Sequence, residues 1–304
     1  MSRFALTSTV ALALSACLGA KPPAPTVTVK PVVRAKTGAE ALLAVIPAGA
    51  QVVVELDLAR LRNNPVVGDV VKAALAQAAL DARLPGLPLE VQGTPLATAD
   101  ALVIAAYGVG TVHAAAITVV ATKDDVPGAT RVSPTLVALG PEDWVGQVQA
   151  RAKISGAAPE AELMTLRQHA MPEGATGAVL RVTARLSFDA RIALARQLGI
   201  DAAPAQLSLW GDVADDLALI VDANAIDPGD HGSKDAAKRL AHTIRGMLSS
   251  AADTEVVRSL GVPTSLSNAR IVAGGTWVRA IIEVTPRHLA RVVERAKSLL
   301  GGSS

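Results

Sequence analysis

Short apolar runs broken by turn residues dominate the chain, and two of them share one pattern. Ile46-Pro47-Ala48-Gly49-Ala50 opens a β-rich run ending Ala59-Arg60-Leu61, and Met171-Pro172-Glu173-Gly174-Ala175 opens another ending Ala184-Arg185-Leu186. Pro47 and Pro172, Val54 and Val179, and Arg60 and Arg185 all stand 125 positions apart. Each run reads as a buried strand leading into a helix, over about Pro65–Ala82 and Phe188–Leu198. Tyr107-Gly108 and Trp210-Gly211 then each end an apolar strand before a turn and a second apolar strand, while Pro141 and Pro286 each follow a strand and open a helix. The pattern predicts an α+β fold of two pseudo-repeats, each β-α-β-β-β-α, packed as sheet and helix layers. The first covers residues 38–155 and the second residues 156–304.

The copies differ in their insertions. The first has a long connection with Pro85-Gly86-Leu87-Pro88 and Gly93-Thr94-Pro95. The second carries a helical segment from about Lys234 to Leu260, where Leu240, Ile244 and Leu248 recur at the spacing of one buried helix face. Ala101–Thr122 holds no charged side chain and is long enough to suggest a membrane-spanning helix. Its counterpart Gln206–Asp222 carries Asp212, Asp215 and Asp216 at mid-length, where charge suits a hairpin turn and is costly in a bilayer. Both segments are therefore expected to be hairpins, with Gly108 and Gly110 turning the first.

The N-terminus follows a different logic. Arg3 precedes an apolar stretch, Phe4 to Ala16, too short to span a bilayer, as in a signal peptide. It ends Leu14-Ser15-Ala16-Cys17, which resembles the lipobox of bacterial lipoproteins. The resemblance implies cleavage after residue 16 and acylation of Cys17 as the first mature residue, anchoring the protein to a membrane. Leu18, in place of the Asp that retains many lipoproteins at the inner membrane, implies the outer membrane, with the body in the periplasm or at the cell surface. More than one acyl chain makes such attachment stable. Residues 17–37, with prolines at 22, 23, 25 and 31, read as an extended tether that reaches about 60 Å at about 3.1 Å per residue.

Composition narrows the chemistry. Basic and acidic residues number 29 and 27, so nothing favours nucleic acid. Six aromatic residues, Phe4, Tyr107, Trp144, Phe188, Trp210 and Trp277, leave a core of small side chains and few stacking platforms. Acylation of Cys17, the single cysteine, removes thiol catalysis and disulfides.

The densest polar cluster holds Asp222, Asn224, Asp227 and Asp230, oxygen donors suited to a divalent cation but without calcium-loop spacing; the ordinary reading is a solvated loop with Ser233 capping the next helix. None of His113, His169, His231, His242 and His288 lies in a metal-binding spacing, and no nucleophile elbow appears. No cofactor is expected. Arg287, Arg291 and Arg295 line one face of the final helix, where a solvated face is the ordinary reading and anionic lipid or an acidic partner the sharper one. Three readings of function stand: a non-catalytic envelope lipoprotein whose body binds a protein partner or serves as a structural module, a small-molecule or lipid carrier using a groove between the halves, and a hydrolase of Asp and His residues distant in sequence.

Overall fold

The computed structural model describes residues 38–77, 97–175, 177–200, 203–226 and 234–301. The leader, Cys17, the tether and the Pro-Gly-rich connection of the first half lie outside these ranges. The described residues belong to one compact unit, Lys36–Ser304. It is a mixed helix and strand fold around a single ten-stranded antiparallel sheet.

In chain order the elements are α1 (Gly38–Leu42), a 3-10 turn (Leu43–Val45), β1 (Val52–Asp57), α2 (Leu58–Arg62), α3 (Gly68–Gln77), β2 (Ala101–Tyr107) and β3 (Ala115–Ala121). Then come β4 (Thr130–Ser133), β5 (Leu136–Leu139), α4 (Glu142–Ala152), α5 (Ala161–Arg167), β6 (Leu180–Arg185), α6 (Phe188–Leu198), β7 (Gln206–Val213) and β8 (Leu217–Asn224). The chain closes with α7 (Lys234–Ala252), α8 (Glu255–Leu260), α9 (Pro263–Ser267), β9 (Arg270–Gly274), β10 (Trp277–Val284) and α10 (Pro286–Gly301). The strand order is β4-β5-β3-β2-β1-β6-β7-β8-β10-β9. β1 pairs with β6, Val54 opposite Val182, so one sheet runs through both halves.

Alternation along the strands sends Val53 and Glu55 to one face, called the front, and Val52, Val54 and Leu56 to the back. On the front, α1, the 3-10 turn, α4 and α5 cover the first half with Leu43, Val148 and Leu163 packed on Val53, Val103 and Val119. On the back, Leu58 and Leu75 pack on Leu102 and Ile104, Leu240 of α7 on Ala223 and Val278, and Leu289 of α10 on Val213 and Val284. β2 and β3 are thus covered on both sides, which accounts for their uncharged, largely apolar sequence. The uncharged segment is a hairpin, as expected, and no helix among the described residues is long and apolar enough to cross a membrane. In β10 the back positions are buried while Arg279 and Glu283 on the front are exposed.

The structure departs from the expected pattern in four places. Each half contributes five strands, not four. The strands missed, β4 and β9, are sheet edges of four and five residues with little burial to mark them. The shared Ala-Arg-Leu falls in different elements: residues 59–61 lie in α2, whereas Ala184 and Arg185 close β6. Trp210 and Gly211 sit inside β7, and the turn comes later, at 214–216. The helix expected from Pro65 begins only at Gly68, as α3, and the segment expected over 234–260 is divided into α7 and α8.

Two local signals set helix boundaries. Asp57 accepts from Arg60 N at the start of α2, and Ser187 accepts from Ala190 N at the start of α6. Gly110, in the β2–β3 loop, does more than turn the chain. It has φ +81°, and a Cβ there would lie 2.7 Å from Ala190 Cα, so only glycine lets the loop of the first half rest on α6 of the second. Gly110→Ala should therefore lower the unfolding free energy by more than the about 1–3 kcal/mol of backbone strain alone. Gly128→Ala, at φ +73° with open space around it, supplies the strain-only reference. Equal losses in denaturant melts would show that the close approach does not matter.

Candidate functional site

Polar side chains gather where front-face cover passes from the first half to the second. Glu55 projects inward from β1 and is 3% exposed, which demands a partner. Arg167, at the end of α5, supplies it in a two-pronged contact, Nε to Oε1 at 2.7 Å and an Nη to Oε2 at 2.9 Å, and also reaches Glu40 of α1 at 3.2 Å. Hydrogen bonding and charge from Glu55 and Glu40 outweigh burial and raise the Arg167 guanidinium above its ordinary value. Arg181, directly opposite Glu55 across the β1–β6 pair, is 4% exposed and makes no carboxylate contact among the described residues. Its hydrogen bonds go to Arg167 O and the Met171 thioether, each at 3.4 Å. Burial, together with the neighbouring charge of Arg167, pulls it down to about 10.

The chain after α5 is fastened to the same face. Ala170 N donates to Ser208 Oγ at 3.3 Å, and Arg279 reaches both oxygens of Asp222 at 2.7 and 2.6 Å while donating to His169 O. The His169 ring stacks on Trp277, centroids 4.2 Å apart. Beside this seam lies an open groove of about 650 Å³. Gln51 before β1, Glu162, Thr165 and His169 of the α5 region, and Arg185 and Gln206 of β6 and β7 line it. It thus lies at the junction of the halves.

Most polar groups in the groove already have structural duties. Arg185 pairs with Glu160 at 2.7 Å and with Glu162, while Glu160 also accepts from Gly49 N at 2.9 Å. Gln51 accepts from Val109 N, Thr165 Oγ1 donates to Ala161 O, and Ser187 caps α6. No nucleophile in the groove hydrogen-bonds a base among the described residues. A serine–histidine contact occurs elsewhere, where Ser265 of α9 meets His288 Nδ1 at 3.3 Å and His288 Nε2 donates to Gly261 O at 2.6 Å. Ser265 is 9% exposed and lies outside the groove lining, so the contact joins α9 to α10.

Of the candidate cation ligands, the two that are described, Asp222 and Asn224, already have partners. Asp222 is buried and committed to Arg279, and Asn224 takes Ile226 N and donates to Gln206. A carboxylate already neutralised by a two-pronged arginine is a poor metal ligand. Asp227, Asp230, Ser233 and His231 lie outside the described residues, and no metal-binding group of three or more His, Cys, Asp or Glu occurs among the described ones. His113 and His242 are exposed, apart from the groove, as are Arg287, Arg291 and Arg295 on α10. Buried Tyr107 donates to Pro47 O and stacks on Trp144, and Trp210 donates to Gly177 O, so these aromatics hold the core together.

Sequence reasoning missed Glu55, Arg167, Arg181 and Asp222–Arg279 as a connected set. The available signal was Glu55 itself, a lone charge at an inward position of Val-Val-Val-Glu-Leu.

No family model matches the chain, and no curated protein does. Among solved structures it is similar to two crystal forms of TP0453, at 9% identity with TM-scores of 0.43 and 0.42. These alignments cover 83% and 84% of this chain and 96% and 97% of the other. The likeness assigns this chain no activity, ligand or partner.

Proposed function

We propose that this chain is an outer-membrane-anchored envelope lipoprotein whose body, built from two copies of one α+β unit, is a non-catalytic binding module. The groove carries this reading: its charged and hydroxyl side chains are fixed by ion pairs, caps and turns, an arrangement suited to recognition and not to proton transfer. The lipobox at Leu14–Cys17 supports the anchor, and the outward strand orders β1-β2-β3-β5-β4 and β6-β7-β8-β10-β9 support duplication. The copies diverge at their last helices, with α4 on the front and α10 on the back.

Cys17→Ser should move the protein from the envelope membrane fraction to the soluble fraction, and cross-links to an envelope protein formed in intact cells should be lost with it. Detergent-dependent membrane attachment of the variant would refute the anchor, and absence of any reproducible cross-link in the wild type would refute the binding module. A second reading, a carrier of a small polar molecule, is favoured by the groove's volume of about 650 Å³. Native mass spectrometry of protein taken from the envelope, showing a bound small molecule lost on Arg185→Ala, would select it.

A further inference from the structure

A second recess lies on the back of the sheet, between α6 and α7. Its walls are Phe188, Ile192 and Ala195 on α6 and Ala236 and Arg239 on α7, and its floor includes buried Leu240. The volume is about 250 Å³. Phe188 and Ile192, one turn apart, are 66% and 42% exposed, an apolar stripe that folding leaves open to solvent. Arg191 fixes the wall beneath them by donating to Ala203 O at 3.2 Å and Ala225 O at 3.1 Å.

Charge here is one-sided. The two helices that wall it, α6 and α7, carry six arginine and lysine residues against two acidic ones, in a chain balanced overall at 29 to 27. One of the two acids, Asp235, is occupied by Lys238. Arg239 at the rim and Arg196 one turn beyond Ile192 have no acidic partner among the described residues.

We propose that the recess between α6 and α7 docks an acidic amphipathic helix of a protein partner, its apolar side chains entering between Phe188, Ile192 and Leu240 and its carboxylates meeting Arg239 and Arg196. A groove between two helices holds the apolar stripe of a third, and basic walls select acidic flanks. A flat bilayer would meet protruding side chains and leave the recess unfilled. The proposal deepens the binding-module reading and rests on it, but not on the anchor.

The test uses the full chain carrying Cys17→Ser and a labelled helical peptide of about sixteen residues, with leucines at i, i+3, i+4 and i+7 and glutamates elsewhere. Fluorescence anisotropy should show binding that weakens with salt. Arg239→Glu and Ile192→Asp should each weaken it by about tenfold or more, while Arg287→Glu on α10, away from the recess, should leave it within about twofold. These positions are exposed, and unchanged melting curves confirm that each variant folds. No binding, equal binding of a peptide with the same residues scrambled, or equal weakening by Arg287→Glu overturns the proposal. So does Phe188-dependent binding to phosphatidylglycerol vesicles without peptide binding, which would give this face to a membrane. Failure here, with cross-linking to an envelope partner intact, would leave the binding-module reading standing with its contact at another surface.

Discussion

Replacing Arg167 with methionine is expected to lower the unfolding free energy by about 2–4 kcal/mol, read from urea melts. Removal leaves Glu55, 3% exposed, without its two short hydrogen bonds, and a buried carboxylate without a partner is costly. Arg181 limits the loss because it stands opposite Glu55 and, freed from the like charge of Arg167, turns to the vacated carboxylate. The double variant Arg167→Met/Glu55→Leu should regain most of the stability, since replacing both members of a buried pair by apolar groups is often neutral. An unchanged melt for Arg167→Met would mean that the pair contributes nothing to holding α5 on the sheet.

Arg181→Met is expected to act in the opposite direction, stabilising the body by about 1–3 kcal/mol at neutral pH. The guanidinium is buried, and its hydrogen bonds are one long contact to a carbonyl and one to a thioether. Its folded value of about 10 lies below the ordinary arginine value, so between the two the unfolded chain binds more protons and stability rises with pH. The advantage of the variant should accordingly be constant below about pH 10 and shrink above it. In the Arg167→Met background the sign should reverse, because Arg181 is then the remaining cation beside Glu55. A destabilised single variant, or additive effects in the double-mutant cycle, would sink this account of the cluster.

The two variants show why the front-face seam escaped the sequence. Glu55 and Arg167 lie 112 residues apart, and nothing local marks Arg167, at the end of a seven-residue helix, as the partner of a strand residue. Asp222 looked like part of an oxygen-rich cluster because its neighbours in sequence are polar; its neighbour in space is Arg279, 57 positions on, brought opposite by the β8–β10 register. The edge strands were illegible for a related reason. Thr130–Ser133 and Arg270–Gly274 have no buried face to impose alternation, so only pairing with β5 and β10 makes them strands. The shared Ala-Arg-Leu misled because equal spacing along the chain does not fix position in an element, and the two segments enter their strands after connections of different length.

The sequence by itself determined the features that depend on neighbours along the chain. The uncharged run Ala101–Thr122, read against its charged counterpart, marked the β2–β3 hairpin, the run Phe188–Leu198 marked α6, and the spacing of Leu240, Ile244 and Leu248 marked the inner face of α7. The tertiary structure alone decided which strands became edges, which charges became partners, and how the groove and the basic recess were assembled. Those outcomes depend on register and on the meeting of side chains far apart in the chain, and local propensity carries no record of either.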